Sequence, residues 1–438
     1  MTDSPRKKAV TILMNVDKND AYVNIEMNKL RSQNLYKSID IRFIGQIVNG
    51  VIKNKIAIDY LISKYSKVRL NKISPFVLAV LRSGIYQIVY MDKVPDSAAV
   101  YESVKLIKKS SVSRLSSYVN AVLRAVNGSD LEKLDLTTPD GLSVFYSFPL
   151  WLVNRWIESF GIDFTKELLA SLNKKPGLFV RRSVSVSSVE FEESLVSDGV
   201  AYECVKFSFA PDFNYCYNLG NIGDLKALSS YENSFFYIQD PAAAFAAFVL
   251  SPQKGETVID MCAAPGGKSL FAAELMGNEG CVLSCDIYEH KLELIKSNCL
   301  KYGIDIIKPM LCDATVYNSN FEKLADKVLC DVPCSGFGII SKKPDIKYAR
   351  KECDISALSE LSIKILDNAS KYVKIGGTLV FSTCTFEAAE NEKVVEQFLS
   401  KHSEYSPFPF DGEEFYKTFY PNVHNTDGFF VCRLKRNA

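Results

Sequence analysis

Two cysteines stand where strand-like segments end and loops begin, and either side chain could act as a nucleophile. Cys334 lies in DVPCSGFG and Cys384 lies in TLVFSTCTFEAAENE. Each is flanked by small or hydroxyl residues, at a place where backbone N–H groups can lower the pKa of a thiol. The other cysteines of this half lie in apolar runs and are expected to be inert. A free cysteine is often simply buried, so position alone leaves open that either residue is a buried cysteine with no chemical role.

A glycine-rich turn and three carboxylates indicate a ligand site in the same half. The turn is CAAPGGKS, where the two glycines after Pro265 allow the backbone to approach a ligand closely. Asp286, Asp313 and Asp331 each close a strand-like run. Taken singly, the turn could serve packing and each acid could cap a helix or lie in a loop. Three acids in register beside the turn favour ligand binding, and an acid after the second strand suits a ribose diol.

The elements that would position these residues alternate between strand and helix. From Gly255 onward, TVIDM, CVLSCD and IIKPMLCDA have the pattern of strands, and SLFAAELMG and KLELIKSNCLKYG have that of helices. This order predicts an α/β, Rossmann-like, doubly wound sheet over residues 239–438. In such a sheet the carboxyl ends of the strands form the ligand crevice, so the turn, the acids and the cysteines should converge there.

Three further segments precede this half, and we expect a multidomain protein. Residues 1–128 show successive apolar faces at helical spacing and predict an all-α domain. Residues 129–173 carry an amphipathic helix around Trp151 and Trp156 and predict a helical connector. Residues 174–238 contain LFVRRSVSVSS and AYECVKFSF around an acidic helix-like run, which predicts a small α/β module.

Composition is ordinary for a globular protein. The 438 residues are 47% hydrophobic and 24% charged, with a formal net charge of +1, so any affinity for nucleic acid must come from local basic patches. The apolar stretch in MTDSPRKKAVTILMNVDKND is too short and too interrupted by charge for a signal peptide or a membrane span. The cysteines form no C-x-x-C pair of zinc spacing. We therefore expect a cytoplasmic protein without a bound metal or a membrane partner, and nothing in the sequence demands more than a monomer.

Two family resemblances rest on these motifs. VIDMCAAPGGKS closely resembles the cofactor loop of the Fmu (Sun) family, which are small-subunit (16S) ribosomal RNA cytosine-C5 methyltransferases. The same family carries a Pro-Cys and a Thr-Cys, which stand here as Pro333-Cys334 and Thr383-Cys384. In the first 128 residues, IRFIGQIVNGVIKNKIAIDYLI, SPFVLAVLRSGIYQIVYMDKVPDSAAVYESVKLIKK and SSYVNAVLRAVNG are similar to the helical RNA-binding domain of the NusB type. The likeness spans nearly the whole chain.

The resemblance implies S-adenosylmethionine as the cofactor. Asp286 would lie at its ribose, Asp313 near its adenine, and Asp331 near its methionine end and the target base. The remaining implied contacts come from the turn: Cys262, Ala263, Ala264, Pro265, Gly266, Gly267 and Lys268. Lys268 and Asp331 are also candidate catalytic residues, and an ion pair between them would be compatible with catalysis. The alternative role of Lys268 is to cap a nearby carboxylate.

The resemblance also implies how the cysteines divide the chemistry. Carbon 5 of cytosine is a poor nucleophile, so a thiolate must first add to carbon 6. The likeness makes Cys384 the attacking thiolate and gives Cys334 a part in product release, whereas DNA cytosine methyltransferases attack from the Pro-Cys position. It further implies that the Pro333 carbonyl and the Asp331 carboxyl contact the polar edge of an extruded cytosine.

Basic residues near these motifs are candidate RNA contacts, although a solvated basic loop would have the same composition. Two departures from the family pattern affect them: lysines stand at 342 and 343, where arginine is common, and Ser183 stands where asparagine is expected. The candidates are Arg181, Arg182, Lys342, Lys343, Lys347 and Arg350.

Three functions stay open at this stage. The first is methylation of 16S rRNA, either free or in an assembling small ribosomal subunit. The second is cytosine-C5 methylation of transfer RNA, because the catalytic half is shared across that wider family. The third is a non-catalytic RNA-binding or antitermination factor, which the presence of both motif cysteines and the complete glycine turn disfavours.

Overall fold

A computed structural model describes residues 3–19, 23–220 and 222–438, which form two compact units. The first unit comprises Met1–Lys174 and Ile340–Arg350, and the second comprises Lys175–Ile339 and Lys351–Ala438. The predicted boundaries at 128 and 238 lie inside these units, and the assignment of residues 340–350 to the first unit was not predicted from the sequence. Residues 1, 2 and 20–22 of the predicted helical domain lie outside the described residues.

The first unit is helical, as predicted. In its third helix, Ile44, Ile47, Val48 and Val51 recur at helical spacing and are all buried, so one face supplies the core. Prolines at the first helical position open the fifth and eighth helices. The helices are α1 (Pro5–Asn19), α2 (Val23–Ser32), α3 (Ser38–Lys53), α4 (Lys55–Tyr65), α5 (Pro75–Tyr90), α6 (Asp96–Lys108), α7 (Ser116–Ala125), α8 (Pro139–Tyr146), α9 (Leu150–Phe160) and α10 (Ile162–Leu172).

The second unit begins with the small α/β module. Its antiparallel sheet has the strand order β2-β3-β1-β4. The strands are β1 (Leu178–Arg182), β2 (Ala201–Cys204), β3 (Cys216–Gly220) and β4 (Phe236–Ile238). A separate cluster that includes Phe191, Tyr217 and Phe236 forms its core.

The larger sheet contains the predicted parallel strands. Its order is β10-β12-β9-β8-β5-β6-β7, with β11 paired to β12. The strands from β9 to β7 run parallel, and β12 is antiparallel to β9. They are β5 (Thr257–Asp260), β6 (Cys281–Asp286), β7 (Ile307–Leu311), β8 (Ala325–Asp331), β9 (Val373–Thr383), β10 (Tyr405–Pro407), β11 (Tyr416–Phe419) and β12 (Phe429–Arg436).

Helices cover both faces of this sheet, which is the doubly wound arrangement predicted. Successive residues of β5 show it, because Val258 packs into one apolar cluster and Ile259 into another. The later helices are α11 (Ser188–Ser197), α12 (Ser229–Glu232), α13 (Pro241–Leu250), α14 (Gly267–Leu275), α15 (Glu289–Tyr302), α16 (Ile346–Ala349, in the first unit), α17 (Glu352–Ser370), α18 (Glu392–Lys401) and α19 (Pro421–His424). Among the described residues, none of the helices is both long and apolar enough to cross a membrane.

Candidate active site

The glycine-rich turn joins β5 to α14 at the carboxyl edge of the sheet. Gly266 has φ +105°, a left-handed conformation that favours glycine. At Gly267 a Cβ atom would lie 2.7 Å from the Tyr237 ring, so a larger residue would displace the start of α14. Asn298, on α15, donates a hydrogen bond to the Pro265 carbonyl at 2.9 Å and so stabilises the turn. The sequence did not single out Asn298, since it lies 33 residues away in an ordinary helical run.

Asp260, the last residue of β5, is a buried acid that was not predicted from the sequence. Ser269 donates to its Oδ2 at 2.7 Å, and Ser284 donates to Ser269 at 2.7 Å. Burial raises the pKa of Asp260 to about 6, against an opposing contribution from the Ser269 hydrogen bond. Its Oδ1 has no hydrogen-bond partner among the described residues. A buried acceptor without a partner beside the turn fits a site that receives a polar ligand.

Asp286 and Asp313 stand at or just beyond the ends of β6 and β7, the strands that follow β5 in the sheet. The Tyr288 N–H donates to Asp286 Oδ1 at 3.0 Å, and Lys291 Nζ lies 3.4 Å from the same oxygen. Among the described residues, none donates a hydrogen bond to Asp286 Oδ2, so this oxygen is suited to accept one from a ribose hydroxyl. Asp313 instead accepts from the Thr315 side chain and N–H, and these bonds lower the pKa of Asp313.

The two motif cysteines meet beyond the ends of β8 and β9. Their Sγ atoms lie 3.3 Å apart, although 50 residues separate them in the chain. Cys334 is 7% exposed and Cys384 is more open. The hydrogen bond to Cys384, and then burial, raise the pKa of the Cys334 thiol well above its usual range. The Cys334 thiol therefore retains its proton at neutral pH.

Asp331 links the cysteine pair to the glycine-rich turn. Lys268 Nζ lies 2.6 Å from Asp331 Oδ2, which is the ion pair considered from the sequence, and Ser382 donates to Oδ1 at 2.9 Å. Desolvation acts to lower the pKa of Lys268, but Asp331 outweighs it and the pKa is raised. The lysine is thus held as a cation beside the cysteines.

Polar contacts and a glycine pair shape the loops that carry the cysteines. Ser335 Oγ lies 3.0 Å from Thr385 Oγ1, and Thr383 donates to Asn391 at 2.6 Å. The Gly338 N–H donates to the Cys384 carbonyl at 3.1 Å. A Cβ at Gly338 would lie 1.8 Å from the Gly428 carbonyl oxygen. Of these residues only Thr383 was named from the sequence, as the partner of Cys384 in the Thr-Cys pair; the contacts among the others are tertiary and leave no local signal.

The predicted RNA contacts divide into buried and exposed residues. Arg181 is 0% exposed and bonds Glu274 at 2.5 Å and Gln239 at 2.9 Å, while Arg182 is 7% exposed and donates to the Val186 carbonyl. Lys347 is 0% exposed. These three predictions are corrected, because a side chain enclosed by its own fold has no phosphate within reach. Lys342 and Lys343 are exposed, and Arg350 is partly exposed.

The side chains at this site suit an adenosine-type cofactor better than a metal ion. The close-packed turn, the Oδ2 of Asp286 and the Oδ1 of Asp260, which accept no hydrogen bond from the described residues, suit the hydroxyl and ammonium donors of a ligand. In the part of the chain that the structure describes, no cluster of three or more His, Cys, Asp or Glu residues could hold a metal ion.

Two family models and several curated proteins match this chain. Residues 247–435 match the family model of the 16S rRNA methyltransferase RsmB/F, and residues 3–127 match the NusB family. The chain is 32% identical over 453 residues to the probable ribosomal RNA small subunit methyltransferase B of Bacillus subtilis (strain 168), covering 99% of both chains. It is 31% identical over 448 residues to the corresponding Synechocystis sp. protein, again covering 99% of both.

Solved structures share the architecture. The crystal structure of PH0851 superposes over 100% of both chains with a TM-score of 0.78 and 26% identity. That of NSun6 from Pyrococcus horikoshii with SFG covers 65% of this chain and 97% of that one, with a TM-score of 0.54 and 21% identity, and shows the fold alone. The larger sheet is that of an S-adenosylmethionine-dependent methyltransferase. The chain belongs to the family of ribosomal RNA small subunit methyltransferases B.

Proposed function

We propose that this enzyme methylates carbon 5 of one cytosine in 16S rRNA and that Cys384 is its covalent nucleophile. The observation that carries the proposal is the 3.3 Å contact between the Cys334 and Cys384 sulfurs, next to the Lys268–Asp331 ion pair. One thiol can attack while the other holds a proton, with a carboxyl group and a cation beside them. Such a set suits addition to a pyrimidine ring and its later reversal.

The addition step uses the more open sulfur. The Cys384 thiolate gives an electron pair to carbon 6 of cytosine. The electrons of the C5–C6 double bond shift to C4–C5, those of the C4–N3 double bond move to N3, which takes up a proton, and the resulting enamine has a nucleophilic carbon 5. When bound, S-adenosylmethionine supplies the methyl group that carbon 5 takes, leaving as the neutral thioether. The electron pair of the new C5–CH₃ bond comes from the enamine.

Release reverses the addition. A base removes the proton from carbon 5, the C5–C6 double bond re-forms, and the S–C6 bond breaks to return the Cys384 thiolate. Cys334 keeps its proton because its pKa is raised, and it lies within reach of the departing sulfur. A thiol that donates to this sulfur stabilises the leaving thiolate, which supports a part for Cys334 in product release.

Asp331 and the Pro333 carbonyl would contact the polar edge of the target cytosine. Asp331 ends β8 and Pro333 follows it in the loop that carries Cys334, and Lys268 and Ser382 hold the Asp331 carboxyl in one orientation. A cytosine can reach this site only when it is turned out of its stack. Single-stranded or loop RNA is therefore the expected target.

The turn and the strand ends would hold the cofactor. Asp286 offers its Oδ2 to the ribose diol, and Asp313 stands on the adenine side. The backbone from Cys262 through Ala263, Ala264, Pro265, Gly266 and Gly267 approaches the ligand, with Lys268 and Asp331 at its methionine end. For the RNA backbone, the exposed Lys342 and Lys343 suit phosphate oxygens.

The test is a denaturing gel of protein incubated with S-adenosylmethionine and small-subunit rRNA. Cys334→Ala should accumulate a slowly migrating protein–RNA adduct, because addition proceeds and release stalls. Cys384→Ala should form no adduct and no 5-methylcytosine. If Cys384→Ala still methylates, the nucleophile lies elsewhere, and if the product carries its methyl group on another atom, the proposed reaction is wrong.

A further inference from the structure

Lys347 is a fully buried lysine in the first unit, on the short helix α16. Its ammonium lies 2.8 Å from Asn173 Oδ1 and 3.3 to 3.4 Å from the carbonyl oxygens of Lys53, Ser147 and Tyr146. All four acceptors belong to the same compact unit. One cation therefore satisfies acceptors that are scattered along the sequence.

These acceptors mark the carboxyl ends of three helices. Lys53 ends α3, Tyr146 ends α8, and Asn173 caps α10. Helix carboxyl ends carry unpaired carbonyls and a partial negative charge, so a cation at their meeting point is stabilised. The Phe148 ring lies 3.7 Å from Nζ and adds a further favourable contact.

Burial opposes this arrangement. Desolvation, and then repulsion from Lys53, lower the pKa of Lys347 well below its usual range. The four oxygens and the three helix ends favour the charged form instead. A lysine kept in so enclosed a place does more than fill space, since an apolar side chain would remove the donor that Lys347 supplies to the Lys53 carbonyl and to Asn173 Oδ1.

The segment that carries Lys347 is the direct continuation of the Cys334 loop. A short 3-10 helix, Phe337–Ile339, follows the cysteine, and the Gly338 N–H donates to the Cys384 carbonyl. The chain then enters the first unit at Ile340 and leaves it after Arg350. The loop from Cys334 to Ile340 is called the catalytic loop below. Its far end is therefore fixed by the contacts that residues 340–350 make in the first unit.

We propose that Lys347 is a positioning residue for methyl transfer, whose ammonium anchors residues 340–350 in the helical unit and thereby fixes the loop between Cys334 and Ile340. The inference rests on the proposed function, because it concerns the geometry of the same cysteine pair. It assigns the helical unit a part in ordering the catalytic loop, in addition to any contact with RNA.

The experiment compares wild type with Lys347→Met, which keeps the side-chain length and removes the charge. Three quantities are measured: the single-turnover rate of 5-methylcytosine formation in small-subunit rRNA, the dissociation constant of S-adenosylmethionine, and amide hydrogen exchange of residues 334–339. We expect the rate to fall about ten-fold or more and exchange at Gly338 to quicken. Cofactor affinity should stay within about two-fold of wild type, because the cofactor turn lies in the second unit.

Tyr348→Phe is the matched control. Tyr348 donates to the Ser147 carbonyl at 3.2 Å, so the variant removes a hydrogen bond from the same segment without removing the cation. It should resemble wild type in all three measurements. Equal losses in Tyr348→Phe and Lys347→Met would overturn the inference, because any disturbance of the segment would then suffice.

The remaining outcomes separate the inference from the proposed function. A wild-type enzyme that makes no 5-methylcytosine contradicts the proposed function itself. If wild type methylates, an unchanged rate or unchanged Gly338 exchange in Lys347→Met overturns the inference alone. Should Lys347→Met fail to fold, Asn173→Ala removes the nearest acceptor and leaves the ammonium. Slower transfer with faster Gly338 exchange in that variant supports the anchor, and wild-type values in both measurements refute it.

Discussion

Asp331 and Ser382 stand opposite each other in the parallel pair of β8 and β9, and the Ser382 hydroxyl donates to the Asp331 carboxylate at 2.9 Å. This register determines where the chain beyond each strand emerges. Cys334 lies three residues past Asp331, and Cys384 lies two past Ser382. Because parallel strands deliver their carboxyl ends to one edge, the two sulfurs reach contact distance.

Alkylation should distinguish the two cysteines before any RNA is added. Cys384 is the more open of the pair, and the raised pKa of Cys334 keeps its sulfur as the unreactive thiol. We expect iodoacetamide at neutral pH to label Cys384 ahead of Cys334, as followed by peptide mass spectrometry. The exposed Cys353 and the buried Cys330 provide fast and slow references in the same digest. Earlier labelling of Cys334 would contradict the assignment of the proton.

The fold was largely predictable because its determinants are local. The helical spacing of Ile44, Ile47, Val48 and Val51 and the strand–turn–helix pattern around Pro265 each specify an element without reference to distant residues. The order of those elements then leaves few ways to wind a parallel sheet. The placement of residues 340–350 in the first unit depends on tertiary packing, and no local pattern reports it.

The sequence predicted which cysteines and strand-end acids meet at one edge of the sheet, but it did not predict which basic residues are buried. Cysteines and strand-end acids carry their function in their side chains. Arg181 and Lys347 have the side chains of surface residues, and each is buried because distant groups compensate its charge. For Arg181 the compensating residue is Glu274, 93 residues along the chain. A sequence pattern that spans a few residues cannot predict contacts between residues so far apart in the chain.

Asp260 should make stability depend on pH in the acid range. Its folded-state pKa of about 6 lies above the ordinary value of 3.8, so the folded protein binds the proton more tightly than the unfolded chain. The contribution is fully present below pH 3.8 and is lost as pH rises to 6, about 3 kcal/mol in all. Urea denaturation of wild type and Asp260→Asn between pH 4 and pH 7 measures this contribution. The free energy of unfolding of the variant should not show the decrease with rising pH that wild type shows.

Ser269→Ala is the control for that experiment. The variant retains the carboxyl group but removes the hydrogen bond that lowers the pKa of Asp260. The fall in stability should therefore extend to higher pH than in wild type. Identical pH profiles for wild type and both variants would show that Asp260 does not titrate in this range.

Gly338→Ala should disable the catalytic loop. The added Cβ would lie 1.8 Å from the Gly428 carbonyl oxygen, so two backbone segments would have to separate and the Gly338–Cys384 hydrogen bond would be strained. We expect a loss of about 1–3 kcal/mol or more in the free energy of unfolding, together with loss of methyl transfer. Gly223→Ala is the matched control, because a Cβ there meets nothing within 4 Å. Its stability should stay within about 0.5 kcal/mol of wild type.

Arg181 and Lys343 should respond oppositely to substitution, because one is buried in an ion pair and the other is exposed. Arg181→Met leaves the Glu274 carboxylate buried without its partner, which should cost about 3–5 kcal/mol in the free energy of unfolding. Lys343→Ala should leave stability near that of wild type and weaken RNA binding across sequences. Its slope of log affinity against log salt concentration should be shallower by about 0.7 for single-stranded RNA. Filter binding at several salt concentrations below the melting temperature of each variant measures the slopes.

Two outcomes would contradict this prediction. A reduced slope in folded Arg181→Met would show that Arg181 contacts phosphate, and an unchanged slope in Lys343→Ala would show that Lys343 does not contact the RNA.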